Sequence, residues 1–215
     1  MKKTVLIVFI LPILLAATHA KKQRVIFFGD SITANGGFIR NIEENLKSKK
    51  LQDKYELLNA GVGNEKVYDL YLRLEDDVLA KKPDVVVILV GTNDIWHKAD
   101  GTGTDIITYE KFYKAIIKKL QAQNIKVVLC TLTVIGEQKE DIRQYRAMDI
   151  YSDVIRRLAQ TMSCSLVDLR KAFVEYEAVN NKNNEVCCFL TSDWVHLNET
   201  GDKLVATEML NVLNF

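Results

Sequence analysis

Arg24-Val25-Ile26-Phe27-Phe28-Gly29-Asp30-Ser31-Ile32-Thr33 is an apolar run that stops at a glycine, an acid and a serine. Its β-branched and aromatic residues form a brief block cut off by Gly29 instead of recurring at helical spacing. Arg24 to Phe28 therefore reads as a short buried strand. Ser31 then stands at an exposed rim just past a strand end. If a helix opens there, its first-turn N–H groups lack intrahelical partners and its positive end favours nearby negative charge. Such a place suits a nucleophile whose attack creates an oxyanion. It also suits a plain helix cap by Asp30 or Ser31, and for a lone Gly-Asp-Ser the cap is the better reading.

Working outward, Phe38, Ile39, Ile42 and Leu46 repeat at helical spacing through Lys49, with Gly36-Gly37 as the entry. A second strand, Tyr55 to Asn59, runs into the turn-rich Ala60-Gly61-Val62-Gly63-Asn64. Val67, Leu70, Tyr71, Leu74, Val78 and Leu79 then mark one face of a helix that Pro83 closes. The unbroken apolar run Val85 to Val90 is what a strand buried on both faces requires, and it stops at Gly91-Thr92-Asn93-Asp94. The segment Asp100 to Asp105 reads as a solvated connection rather than a calcium loop. Phe112, Tyr113, Ile116, Ile117 and Leu120 mark the next helix, followed by a strand at Val127 to Leu132. A loop near Gly136 leads to a helix carrying Tyr151, Val154, Ile155, Leu158, Ala159 and Met162. Leu166 to Leu169 is the last strand candidate, and Leu204, Val205, Met209 and Leu210 mark a terminal helix.

Five strand candidates alternating with amphipathic helices predict an α/β domain with a mainly parallel sheet and helices on both faces. Ligands in such sheets bind beyond the carboxyl ends of the strands. Ser31, Asn64 and Asn93 each follow the end of a successive strand. They can meet on one rim although about thirty residues separate each from the next, and that convergence lifts Ser31 above a helix cap.

The N-terminus carries Lys2 and Lys3, an apolar run from Val5 to Ala17, and small residues at Thr18-His19-Ala20. This is the pattern of an export signal cleaved after Ala20, and the run is shorter than a membrane span usually needs. The expected organisation is a signal segment at 1–20 and a single domain at 21–215, exported to the periplasm or beyond, with no stable membrane span after cleavage. No cysteine follows the apolar run, which argues against a lipid anchor. Loss of Lys2 and Lys3 lowers the basic count from 29 to 27 against 28 acids, a balance that excludes a nucleic-acid footprint. An oxidising compartment permits a disulfide among Cys130, Cys164, Cys187 and Cys188. Cys130 lies in an apolar strand, and adjacent cysteines pair only with strained geometry, so a bridge is expected from Cys164 to Cys187 or Cys188. Zinc is not expected, since no C-x-x-C or paired histidines occur.

A serine nucleophile needs a base, and histidine has the matching unperturbed pKa. Once His19 leaves with the signal, only His97 and His196 remain. His196 lies in Thr191-Ser192-Asp193-Trp194-Val195-His196-Leu197-Asn198, and Asp193 precedes it by a spacing that a turn can close into a carboxylate–imidazole pair. The alternative is a helix-entry turn with an incidental histidine.

Taken together, Gly29-Asp30-Ser31-Ile32-Thr33, Gly91-Thr92-Asn93-Asp94 and Asp193-Trp194-Val195-His196 resemble, in order and spacing, the first, third and fifth blocks of the GDSL, or SGNH, hydrolases. The resemblance implies a flavodoxin-like three-layer α/β/α fold and ester hydrolysis through an acyl-serine, with no cofactor. It casts Ser31 as nucleophile, His196 as base and Asp193 as its orienting acid. The oxyanion would be met by the Ser31 N–H, the Asn93 side-chain amide and a third donor. The family's second block supplies that donor from a glycine, and here Asn64 lies at its place; a shift of one residue would give the role to Gly63. Asparagine tolerates a left-handed backbone well, so the loop can survive the change.

Asp94 reads as a brace for its loop. Trp96, His97 and Trp194 flank the blocks and are candidate substrate contacts, with packing or a surface position as the plainer roles. Two rivals remain: a phosphoesterase holding paired metals on Asp30, Asn93, Asp94 and His196, and an exported module that binds glycans or lipids without turnover. The first usually wants more histidines; the intact Ser31, Asp193 and His196 set speaks against the second. The absence of G-x-S-x-G around Ser31 argues against the nucleophile-elbow esterases. The expected substrate is a small-molecule or carbohydrate-linked ester, tilted towards short acyl groups, with lysophospholipids and thioesters as alternatives within the family.

Overall fold

The computed structural model describes residues 21–136 and 143–215, so the expected signal segment lies outside the described residues. The elements, in chain order, are β1 (Gln23–Gly29), α1 (Ser31–Asn35), α2 (Gly37–Ser48), β2 (Tyr55–Gly61) and α3 (Val67–Asp77). After a short 3-10 turn come β3 (Val85–Leu89), α4 (Thr92–Trp96), α5 (Ile106–Ala122), β4 (Lys126–Cys130) and α6 (Arg143–Thr161). The chain ends with β5 (Ser165–Val167), α7 (Leu169–Asn180) and α8 (Glu199–Leu213).

The strands form one parallel sheet in the order β2-β1-β3-β4-β5, the flavodoxin-like arrangement. Successive side chains on a strand point to opposite faces, so the unbroken apolar runs feed two cores. Val25, Phe27, Val85, Val87, Leu89, Val128 and Val167 pack against α2, α7 and α8. Ile26, Phe28, Val86, Ile88, Val127 and Leu129 pack against α3, α5 and α6. This is the expected three-layer architecture, with helices on both faces. From β1 the chain goes to one edge through β2, then crosses back to build β3 on the other side. The crevice at this reversal lies beyond the carboxyl ends of β1 and β3, the place where such sheets bind ligands.

Several boundaries differ from the sequence reading. The strand expected at Leu166 to Leu169 stops at Val167, because Asp168 turns its side chain to accept the Lys171 N–H and caps α7. Helix α7 itself was not expected; its inner face holds Arg170 and Glu177, both buried, which breaks the apolar repeat. Helix α5 begins at Ile106, well before Phe112, because the Asp105 carboxylate accepts the N–H groups of Ile107 and Thr108 at 3.0 Å each.

The cysteine pairing is also corrected: Cys187 is bonded to Cys188, while Cys164 and the buried Cys130 are free thiols. The sheet explains why Cys164 is left out. It packs with the α3–α5–α6 core, whereas Phe189 and Leu190, next to the bonded pair, belong to the opposite core. Among the described residues no helix is long and apolar enough to cross a membrane.

Gly29 is a point where the layers leave no room for a side chain. It lies opposite Gly61 on β2 and Leu89 on β3, and a Cβ there would run into the Leu89 carbonyl and the Thr33 hydroxyl. Gly29→Ala is therefore expected to destabilise the fold by about 1–3 kcal/mol, the usual cost of overpacking, as a lowered urea midpoint with unchanged m-value.

Candidate active site

The strand-to-helix corner after β1 places Ser31. Asp30 is extended, and its Oδ1 accepts the Ile32 N–H at 3.0 Å, so the chain turns into α1 with Ser31 as its first residue. The N–H of a first helical residue has no intrahelical partner, which leaves the Ser31 amide for another acceptor.

The segment before α8 brings the histidine to it. An antiparallel bridge pairs Thr191 with Leu197, and the Ser192 N–H donates to the His196 carbonyl at 2.7 Å, closing a tight loop. Inside the loop Asp193 Oδ1 accepts the His196 N–H at 2.8 Å and the Val195 N–H at 3.2 Å. Its Oδ2 lies 2.7 Å from His196 Nδ1, and His196 Nε2 lies 2.9 Å from Ser31 Oγ. An imidazole whose Nδ1 hydrogen faces Asp193 presents Nε2 as a hydrogen-bond acceptor to the Ser31 hydroxyl. Burial by itself would raise the Asp193 carboxyl, but the hydrogen bonds from the His196 ring, the His196 N–H and the Val195 N–H outweigh it and hold the group below the usual carboxylate range.

Asn93 sits in the first turn of α4, buried, with its Nδ2 donating to the Glu65 carbonyl at 3.1 Å. An amide nitrogen carries two hydrogens, so one remains for a ligand. Asn64 adopts the left-handed backbone (φ 65°) that its sequence position calls for, whereas Gly63 does not have a positive φ. Gly63 nevertheless lies close to Ser31, with a Cβ built there 4.0 Å from the Ser31 Cβ.

Two acids behind the rim play a different part. Asp94 is fully buried and accepts the Val67 N–H at the start of α3 at 3.2 and 3.3 Å, the brace expected of it. The second oxygen of Asp30 is buried with no hydrogen-bond partner among the described residues. Among the described residues, no group of three or more His, Cys, Asp or Glu is placed to hold a metal.

Trp96 and Trp194 are each more than a third exposed, at 38% and 37%, close in sequence to Asn93 and His196. Trp194 is left-handed (φ 79°), and its carbonyl accepts the Gly136 N–H at 2.9 Å, tying the loop after Val134 to the histidine segment. His97 ends α4, and its main-chain carbonyl accepts N–H groups from the following turn. No hydrogen bond joins Trp96, His97 or the Trp194 ring to Ser31 among the described residues.

The sequence reading missed three residues. Asn198 caps α8, accepting the Thr200 and Gly201 N–H groups, while its Nδ2 donates to the carbonyls of Cys188, Phe189 and Thr191. Asparagine directly before a helix was a usable signal for the cap. Glu65 and Arg73, which brace the Asn64 loop, left no local signal, because Arg73 bonds to residues as distant as Gly29.

The profile of the GDSL-like Lipase/Acylhydrolase family matches residues 27–204. An acetylxylan esterase of Geobacillus stearothermophilus is 26% identical over 219 residues, which cover 90% of this chain and 94% of its own. The uncharacterized lipoprotein YqeF of Bacillus subtilis (strain 168) is 26% identical over 200 residues, 80% of this chain and 82% of its own. Among solved structures, the acetyl xylan esterase AlAXEase superposes with a TM-score of 0.85 at 53% identity, covering 87% of this chain and 98% of that one.

Burial pushes the Asp30 carboxyl up to about 7, against the pull of the Ile32 N–H, and likewise raises Asp94 to about 6. Between about pH 4 and pH 7 the folded chain thus holds protons that an unfolded chain has released. The stability this contributes is complete below the unfolded carboxylate pKa and is lost as pH rises through the folded values. Asp30→Asn keeps the Oδ1 acceptor but cannot titrate. Its melting temperature is expected to fall less steeply than that of the wild type between pH 4 and pH 7, measured by calorimetry across that range.

Proposed function

The chain belongs to the GDSL-like lipase/acylhydrolase family as a carboxylic ester hydrolase, and within that class we propose that it is an exported serine esterase. It removes short acyl groups, acetyl first among them, from a carbohydrate ester through an acyl-serine intermediate. The observation that carries this reading is the continuous relay from Asp193 Oδ2 through the His196 ring to Ser31 Oγ, 2.7 and 2.9 Å at its two joints. The carbohydrate ester is taken from relatives named as acetylxylan esterases. Export rests on the N-terminal pattern of residues 1–20 and on a relative named as a lipoprotein, with residues 21–215 as the mature single domain.

In this reading Ser31 Oγ attacks the ester carbonyl while His196 Nε2 takes its proton. Asp193 keeps the ring in the tautomer that can accept at Nε2 and stabilises the imidazolium that results. The negative oxygen of the tetrahedral intermediate is met by the N–H groups of Ser31 and Asn64 and by the second amide hydrogen of Asn93. The imidazolium returns its proton to the departing sugar hydroxyl, leaving acetyl on Ser31. Water, deprotonated by the same imidazole, attacks the acyl carbon, and collapse of the second intermediate frees acetate and restores the Ser31 hydroxyl. Trp96 and Trp194 offer aromatic faces on which the sugar can rest, with His97, next to Trp96 in the chain, as a further contact.

Ser31→Ala is expected to lower kcat/KM on p-nitrophenyl acetate by roughly a thousandfold or more. Acetate release from acetylated xylo-oligosaccharides should fall in parallel. Equal rates in mutant and wild type would reject Ser31 as the nucleophile. Asn93→Ala is expected to lower kcat by roughly 100- to 1,000-fold with a much smaller change in KM, since it removes a donor used chiefly in the transition state. A change confined to KM would remove Asn93 from the oxyanion site.

A further inference from the structure

Arg73, on the second turn of α3, is mostly buried and spends its guanidinium on four groups. Nη2 donates to the Gly29 carbonyl at 3.0 Å and Nη1 to the Ala60 carbonyl at 2.9 Å, so one side chain ties the carboxyl ends of β1 and β2 together. Nη1 also reaches Asp77 at 2.9 Å, and Nε donates to the Glu65 carboxylate. The planar group lies over the Phe28 ring, 4.5 Å from its centroid.

Its contacts with Gly29, Ala60 and Glu65 lead to the donors of the proposed oxyanion site. Gly29 stands just before Asp30 and Ser31, and its carbonyl also accepts the Val62 N–H at 3.1 Å, joining the β1 corner to the Asn64 loop. Glu65 follows Asn64, and the Glu65 carbonyl holds the Asn93 amide at 3.1 Å. One rigid cation is therefore bonded to the segments that carry the Ser31 N–H and the Asn64 N–H, and to the residue that orients the Asn93 side chain.

We propose that Arg73 is a positioning residue for ester hydrolysis, setting the spacing of the oxyanion donors on Ser31, Asn64 and Asn93 through its bonds to Gly29, Ala60 and Glu65. The proposal rests on the triad and oxyanion roles of the preceding subsection. Arginine suits the task because its planar fork presents five N–H donors in fixed directions and stacks on an aromatic face. A lysine ammonium at the same place would be a point charge with no such geometry. An error of about 1 Å in donor placement costs roughly a hundredfold in rate, so a group that touches no substrate can still govern turnover.

The test uses the mature protein with p-nitrophenyl acetate. Active sites are counted by titrating Ser31 to completion with a serine-directed phosphonate, and rates are expressed per titrated site. Arg73→Lys is expected to lower kcat roughly 10- to 100-fold with KM within about threefold of wild type. In an Asn93→Ala background the same change should cost much less, because the geometry it protects is already incomplete. A purely structural Arg73 would lower the melting temperature and the titratable fraction, leave kcat per site unaltered, and multiply fully with Asn93→Ala. Wild-type kcat per site, or full multiplication, would overturn the proposal. If Arg73→Lys does not fold, Glu65→Gln weakens the same link while keeping the Glu65 carbonyl, and unchanged kcat there would overturn it equally. Ser31→Ala in parallel separates the two readings. Activity retained in that variant removes the serine mechanism itself, whereas its loss alongside an unaffected Arg73→Lys removes only the positioning role.

Discussion

All five strands run in one direction, and most of what this chain can do follows from that constraint. Parallel strands end on a common edge, so the loops after β1, β2 and β3 open side by side although helices separate them in sequence. The register fixes this further: Gly29, Gly61 and Leu89 lie across from one another, and the three loops start almost level. The reversal in strand order between β1 and β3 leaves a crevice at that level, and Ser31 and Asn93 open the helices that follow those two strands. The placement of Ser31 is thus largely a property of the sheet, with the loop before α8 bringing His196 and Asp193 to it.

The same edge creates an electrostatic difficulty. Strand ends expose main-chain carbonyls that leave the ladder in a region shielded from water, and each needs a donor. The chain answers with two arginines, Arg73 mostly buried and Arg170 fully so. Arg73 takes the carbonyls of Gly29 and Ala60. Arg170, 1% exposed, donates to the Thr133 carbonyl at 3.0 Å and to Asp149 at 2.7 Å, over the ring of Tyr145. Each is neutralised by carboxylates and backed by an aromatic face, which offsets the cost of burying the charge. Both therefore fix loop geometry where water would leave it loose.

Much of this was legible in the sequence because it depends on local pattern. The runs Arg24 to Phe28 and Val85 to Val90 announced doubly buried strands, and the first and last motif blocks hold Ser31, His196 and Asp193, which the structure joins by hydrogen bonds. What escaped the reading depends on contacts between distant residues. Helix α7 stayed hidden because hydrophobic periodicity assigns charged residues to the surface, while Arg170 and Glu177 are buried on its inner face. The Cys187–Cys188 bond was misjudged because sequence gives no hint that the sheet stands between Cys164 and the pair. Arg73 was not singled out because its partners, Gly29, Ala60 and Glu65, lie on β1, β2 and the loop that follows.

Ser31 belongs to the first strand–helix corner of the described chain, and His196, 165 positions later, to the last loop before the final helix. With the roles proposed for them, a chain still emerging from the ribosome carries a nucleophile without its base, and the relay closes only when nearly all of the chain has been made.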